Sequence, residues 1–266
     1  MERIGLIAGG GEIPVIFARE ARKKGVEVIG FAVKGLASPE LKSVCSKVHW
    51  LGTNQITKGL LLFVVERIKR IVMLGKIDKA IIYDAAKKNE GELARFKETP
   101  DKSDYNILNR VTAELAKRGV EVVDSLGYLS ELLPSKGILT KRHLSARENE
   151  DVSFGFEIAK EIARFDIGQT IVVKDRSVIA VEAVEGTDNT IKRAAKLGIK
   201  EFVVVKVARP RQDMRWDVPV VGSETVKLIA AGGGKVLALE EKKMFLVDKD
   251  SCSRLADRND ISIVVV

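Results

Sequence analysis

The residues best equipped for chemistry lie in the second half of this chain, in the stretch Lys206, Arg209, Gln212, Asp213, Arg215 and Asp217, which begins within a strongly apolar strand over 202–208 and continues beyond it. Read as extended backbone, Asp213, Arg215 and Asp217 alternate onto one face, each ~6–7 Å from the next. Two carboxylates beside a guanidinium suit a divalent cation that holds a diphosphate, because hard cations take oxygen ligands. An internal Asp–Arg ion pair or a solvated loop satisfies the same spacing. A second group, Glu185-Gly186-Thr187-Asp188, falls at a strand-to-helix junction after Glu182. There Thr187 or Asp188 can cap the helix. Alternatively, Glu185 or Asp188 supplies a further metal donor while the helix terminus faces a phosphate.

A third group is Gly9-Gly10-Gly11, between an opening strand and a helix from residue 13. Glycines let backbone approach an anion closely, and a following helix N-terminus aims free N–H groups at it. A tight turn without ligand is the alternative. The dinucleotide fingerprint is not met: Pro14 stands where its last glycine belongs, and 29–34 holds no acid. Gly234-Lys235 lacks the upstream glycine and the following Ser or Thr of a P-loop. Elimination narrows the chemistry further. His49 and His143 are the only histidines, so a His-rich zinc site is excluded. His49 lies at the end of an apolar strand and reads as a satisfied core residue. Cys45 has no base near it in sequence, which leaves thiol catalysis unsupported. Acid-rich, metal-assisted chemistry is the class that remains.

The elements that must position these groups alternate between strand and helix. Strands are expected at 4–8, 27–33, 48–51, 71–74 and 121–123, with helices from 13, 39 and 56 and over 103–118. Strands separated by helices indicate parallel βαβ units and an open, Rossmann-like sheet. The pattern breaks in a polar stretch, so the reading is an N-terminal Rossmann-like domain over 1–134, a linker over 135–150 and a C-terminal α/β catalytic domain over 151–266. In the second domain a helix is expected over 151–165 and a hairpin around Lys174-Asp175-Arg176-Ser177. A helix over 187–196, a strand over 202–208, helices from 223 and 249 and a final strand over 261–266 follow.

Of the 266 residues, 45% are hydrophobic and 31% charged, a globular balance. Two distant cysteines make a poor disulfide framework and fit a reducing compartment. Residues 1–8 run straight into a strand without a basic start or cleavage site, and no apolar run approaches the ~20 residues of a membrane span. The expectation is a soluble, cytoplasmic protein. A formal charge of +8 favours anionic partners. Many of the cations pair with acids at helical spacing, as Glu114 does with Lys117 and Arg118, and no nucleic-acid signature is present. The second-half carboxylates also repel a phosphate backbone. Nucleic acid is therefore not the expected partner; a nucleotide- or phosphate-binding module without chemistry is the stronger alternative.

Together these segments resemble the UDP-2,3-diacylglucosamine pyrophosphatase family of the lipid A pathway, the metal-dependent type unrelated to calcineurin-like phosphoesterases. The resemblance covers nearly the whole chain. It is carried by Gly9-Gly10-Gly11-Glu12-Ile13-Pro14, Val48-His49-Trp50-Leu51-Gly52, Asp166-Ile167-Gly168-Gln169, Glu185-Gly186-Thr187-Asp188, Lys206-Val207-Ala208-Arg209-Pro210, Gln212-Asp213-Met214-Arg215-Trp216-Asp217-Val218-Pro219, and Gly222. It implies hydrolysis of UDP-2,3-diacylglucosamine to 2,3-diacylglucosamine 1-phosphate and UMP with Mg2+, between a Rossmann-like and an α/β domain. By position, Asp217 and then Asp213 are the implied catalytic or metal-binding carboxylates. Thr187, Asp188, Gln169 and Gln212 would contact substrate or metal, and Gly9, Gly10 and Gly11 would line the cleft. Lys206 and Arg215 would neutralise charge on the diphosphate. A homodimer and peripheral contact with the inner membrane are further implications. The chain departs from the family pattern at Met73-Leu74-Gly75-Lys76-Ile77 and the following Asp78-Lys79-Ala80, at Asn189-Thr190, and at Leu144, where a proline is usual.

Overall fold

The computed structural model describes residues 2–52, 55–76, 104–215 and 217–266. Ile77 to Ala80 of the first departure, Ser103 of the expected helix and Trp216 lie outside the described residues. The chain divides into two compact units, one of Met1–Leu129 with Met214–Trp216, the other of Ser130–Asp213 with Asp217–Val266.

The first unit runs β1 (Arg3–Ala8), α1 (Ile13–Lys23), β2 (Glu27–Val33), α2 (Leu41–Val44), β3 (Lys47–Leu51), α3 (Ile56–Val65), β4 (Arg70–Leu74), α4 (Asp104–Lys117), β5 (Glu121–Val122) and α5 (Leu126–Leu129). Its five described strands are all parallel, in the order β3-β2-β1-β4-β5. Strands buried on both faces are apolar almost throughout, and β1 and β2 read RIGLIA and EVIGFAV. One side of the sheet closes over Ile29, Phe31, Phe63, Ile68, Ile71, Leu115, Val120 and Val122, with Phe31 and Phe63 packed edge to face at 4.6 Å. His49 stacks on Phe31, and its Nε2 lies 2.7 Å from the buried Glu66 carboxylate. It is a satisfied, largely buried residue, as its setting in β3 implied.

The second unit runs β6 (Gly137–Ile138), α6 (Ala146–Arg164), β7 (Thr170–Lys174), β8 (Ser177–Val181), α7 (Thr187–Lys196), β9 (Val203–Lys206), β10 (Val220–Val221), α8 (Ser223–Gly232), β11 (Val236–Leu239), β12 (Phe245–Leu246), α9 (Lys249–Arg258) and β13 (Ser262–Val265). The main sheet has the order β6-β13-β11-β9-β7-β8. Its middle three strands are parallel, and β6, β7 and β8 are added antiparallel. Alternation along β9 divides the core. Val203, Val205 and Val207 pack on the α6 side with Val152, Ala159 and Ala163. Phe202 and Val204 pack on the opposite side with Ile191, Ala194, Val226, Ile229, Cys252 and Ala256. Lys206 shares the parity of Phe202 and Val204, so the pleat turns it toward the α7 side.

Residues 135–150, expected as a linker, carry β6 and the first turn of α6. Strand β6 pairs with β13, and Leu139 N donates to Ile263 O at 2.8 Å. The helix begins at Ala146, ahead of the expected 151, because Ser145 and Glu148 form a reciprocal capping box. Arg142 spans to Glu148 at 2.6 Å and to Ser262 Oγ at 2.9 Å. The polarity that suggested a linker is therefore a cap and its ion pair. The hairpin turns where expected: Lys174 pairs with Ser177, and Asp175 and Arg176 take φ of 48° and 56°. Neither is glycine, and the buried Asp151 carboxylate holds the turn by accepting both N–H groups, at 3.0 and 2.6 Å.

Candidate active site

The sequence around 206–217 does not run extended. Asp217 N donates to Asp213 O at 3.0 Å, which closes a turn, so Asp213, Arg215 and Asp217 cannot alternate onto one face. Arg215 groups with the first unit, whereas Asp213 and Asp217 belong to the second.

What the second unit does assemble is a polar cluster at the carboxyl end of β9, the side on which open α/β sheets leave room for ligands. Lys206 is only 7% exposed. Its Nζ donates to Thr187 Oγ1 at 2.7 Å. Thr187 Oγ1 in turn donates to Glu182 Oε1 at 3.2 Å, so Thr170, 3.1 Å away, is the donor in their shared contact. The register explains the meeting: Thr170 opens β7 directly opposite Lys206, and Glu182 N closes the hairpin by donating to Thr170 O. Thr187 is the first residue of α7, and Gly186 occupies the cap with φ 80° and no side-chain cap bond. The capping alternative for Thr187 thus gives way to a hydroxyl fixed between a buried ammonium and a carboxylate.

A second string of contacts continues from the same edge. Gln169 Nε2 donates to Gln212 Oε1 at 3.0 Å, and the Arg209 N–H reaches the same oxygen at 3.0 Å. Gln212 Nε2 returns to the Asp217 carbonyl. The Arg209 guanidinium lies between two carboxylates. Its Nη1 donates to Asp217 Oδ2 at 2.8 Å, and its Nε stands 2.5 Å from Asp166 Oδ1, an ion contact without hydrogen-bond alignment. Behind it, Lys160 holds both Glu240, at 2.9 Å, and the Ala208 carbonyl, at 3.1 Å. Glu240 accepts the Ala208 N–H at 2.7 Å. The chain leaving β9 toward Arg209 is therefore clamped on both its backbone groups.

The remaining expected acids have other partners. Glu185 pairs with Arg193 at 2.7 Å, and that bond holds its carboxyl below the usual range. Asp188 accepts from Thr225 Oγ1 at 3.4 Å. Among the described residues no three of His, Cys, Asp or Glu gather as a metal-binding group. The carboxylates are nonetheless hard donors, and Mg2+ is commonly held by only one or two of them with substrate phosphates completing its shell.

In the first unit the glycine turn has a packing role. Gly9 N donates to Leu74 O and Gly10 N to Lys76 O, each at 2.8 Å, and Lys76 N returns to Gly10 O at 2.9 Å. A Cβ on Gly9 would crowd Lys76 O and lie 3.0 Å from the Gly75 carbonyl carbon. Two of the three N–H groups offered to an anion are thus bonded to the turn after β4, and only Gly11 remains of that expectation.

Sequence reasoning gave Thr170, Glu182, Asp166 and Glu240 no place in the site, and it gave Arg209, though within the candidate stretch, no role of its own. Thr170 and Glu182 were legible in principle, since the expected hairpin puts their positions at one end of adjacent strands. Glu240, 34 positions after Lys206, comes in only through the sheet order.

Two family models match the chain. The LpxI N-terminal domain family matches residues 3–132 and the LpxI C-terminal domain family residues 135–264. A relative from Caulobacter vibrioides, named UDP-2,3-diacylglucosamine pyrophosphatase LpxI, is 29% identical over 279 residues, covering 100% of this chain and 97% of its own. Among solved structures, glycinamide-RNase-transformylase T from Mycobacterium tuberculosis is 16% identical with a TM-score of 0.26, covering 69% of this chain and 44% of its own. N5-carboxyaminoimidazole ribonucleotide synthetase from Thermotoga maritima is 16% identical with a TM-score of 0.24, covering 70% and 42%. This chain thus spans less than half the length of either.

Proposed function

Because this chain belongs to the LpxI family, we propose that it hydrolyses the diphosphate of UDP-2,3-diacylglucosamine, giving 2,3-diacylglucosamine 1-phosphate and UMP. The observation that carries the reading is the cluster of Lys206, Thr187, Glu182 and Thr170 beside the Arg209–Asp217 pair. It sets fixed cations and hydroxyls beside carboxylates, a set suited to an anionic diphosphate that must meet water. In the reaction water adds to one phosphorus, the bridging P–O bond breaks and the leaving phosphate takes the electron pair. Lys206 and Arg209 would neutralise charge developing on the phosphoryl oxygens. Thr187, Gln169 and Gln212 would hold them in place, and Asp217 is the first candidate to accept the proton of the attacking water.

We extend the proposal to Mg2+ with Asp217 and Asp213 as donors and Asp188 and Glu185 as further ones, a set of hard oxygen ligands. The ion, when bound, would supply positive charge to the diphosphate. In the same proposal the protein works in the cytoplasm against the inner membrane that holds its diacyl substrate, as a homodimer. The proposed domain division has its boundary near residue 134, a reading supported by the separate family matches to 3–132 and 135–264.

The test is UMP release from UDP-2,3-diacylglucosamine, with Mg2+ and with chelator. Asp217→Asn and Lys206→Met should each lower kcat/KM by roughly 10²–10³ with the fold intact, as loss of a charge-stabilising group does. No release by well-folded wild type would sink the substrate assignment, and full activity in chelator would remove the metal alone.

A further inference from the structure

Helix α3, ITKGLLLFVV, is apolar on nearly all sides. A helix of that kind is ordinarily buried all round, yet this one is not. Phe63 is buried and Leu60 and Leu62 pack against the same core, whereas Leu61, Val64 and Val65 are 63%, 75% and 71% exposed. At about 100° per residue these three share one arc of ~120° with Lys58, which lies on its rim. Lys58, Arg67 and Lys69 are exposed as well. The acid between them, Glu66, is buried and held by Lys47 and His49, so it does not offset the cations at the surface.

We infer that this face of α3 is a docking surface for an anionic lipid bilayer. Three side chains fall far short of the ~800 Å² per partner that a stable protein interface takes. A shallow apolar wedge beside basic side chains is what an acidic lipid surface accepts: the apolar groups enter the acyl boundary and the cations meet the headgroups. The overall charge of +8 draws the protein to the same surface. For its purpose the assignment rests on the lipid-substrate reading above, since a diacylated substrate resides in such a surface.

Co-sedimentation of the full chain with substrate-free vesicles tests it. Vesicles of mixed phosphatidylglycerol and phosphatidylcholine should pellet the protein, and pure phosphatidylcholine should not. Binding should weaken as salt rises, and both Leu61→Ser/Val64→Ser/Val65→Ser and Lys58→Ala/Arg67→Ala/Lys69→Ala should weaken it about tenfold or more. Both variants change exposed side chains only, so their UMP release from detergent-dispersed substrate should match wild type. The inference is overturned if wild type ignores acidic vesicles or if the serine variant binds them as wild type does. It is also overturned if that variant turns a dimer into a monomer in sedimentation equilibrium, because the occupant is then a second copy. Substrate-free binding can fail while UMP release stands, and the reverse, so the two readings fail separately.

Discussion

Gly168 is where packing and chemistry can be probed with one methyl group. It lies in the turn between α6 and β7. A Cβ built there would press on the Glu182 carbonyl oxygen, 2.7 Å from the carbonyl carbon and 3.1 Å from the Glu182 Cβ. Ordinary contact begins at 3.4 Å, and the obstacle is backbone rather than a side chain that can swing away. In Gly168→Ala the two segments must therefore separate by about an ångström or more. Both carry site residues. Glu182 N is bonded to Thr170 O at 2.8 Å, Glu182 Oε1 receives the Thr187 hydroxyl, and the neighbouring Gln169 holds Gln212. Overpacking of this kind costs about 1–3 kcal/mol, which lowers the melting temperature by roughly 2–4 °C per kcal/mol. A displacement of ~1 Å among positioning groups can cost ~100-fold in rate. The variant should thus remain folded, with an earlier urea midpoint and a kcat/KM for UMP release reduced by about two orders of magnitude. Gly127→Ala is the control, because its Cβ would meet nothing within 4 Å. A Gly168→Ala protein with wild-type midpoint and wild-type rate would refute both the close approach and the role given to Glu182 and Gln169.

Two predictions concern protonation. Burial pushes the Cys45 and Cys252 thiols up to about 11, so neither should react with iodoacetamide at pH 8 until denaturant is added; rapid labelling of the native protein would contradict their placement. Burial acts to raise the Glu148 carboxyl, but its bonds from Arg142 and from the Ser145 backbone and hydroxyl outweigh this and hold it below 4.5. A lowered folded pKa stabilises above the unfolded value and is lost as pH falls through the folded one. Glu148→Gln should therefore cost about 1–2 kcal/mol at pH 7, with the gap to wild type closing as pH drops below 4.5; a gap independent of pH would show that charge is not what the cap uses.

Much of the scaffold was legible from one-dimensional pattern. Apolar runs punctuated by glycine located β1 through β4 and the hairpin, and the residues around 206 were recognisable as a place for chemistry. The capping box was also written locally, as Ser145 and Glu148 three apart, but its polar surroundings were read as a linker. Other features had no local signal. The turn over 213–217 depends on one backbone bond that spacing does not reveal, and spacing does not give the partners of the candidate acids either: Asp217 is held by Arg209, and Glu185, at the other junction, by Arg193.

The sequence by itself determined which residues face which side of each strand, because the pleat has a period of two and a slip would turn every side chain over. On that ground alone Lys206 belongs with Phe202 and Val204. Only the tertiary structure decided what Lys206 meets there. Sheet order placed β7 antiparallel beside β9, which set Thr170 opposite Lys206, and the return of the chain after β8 brought Glu182 and Thr187 to the same end. Strand order is settled by packing among distant segments rather than by any one segment's propensity, so the cluster exists only once those segments have met.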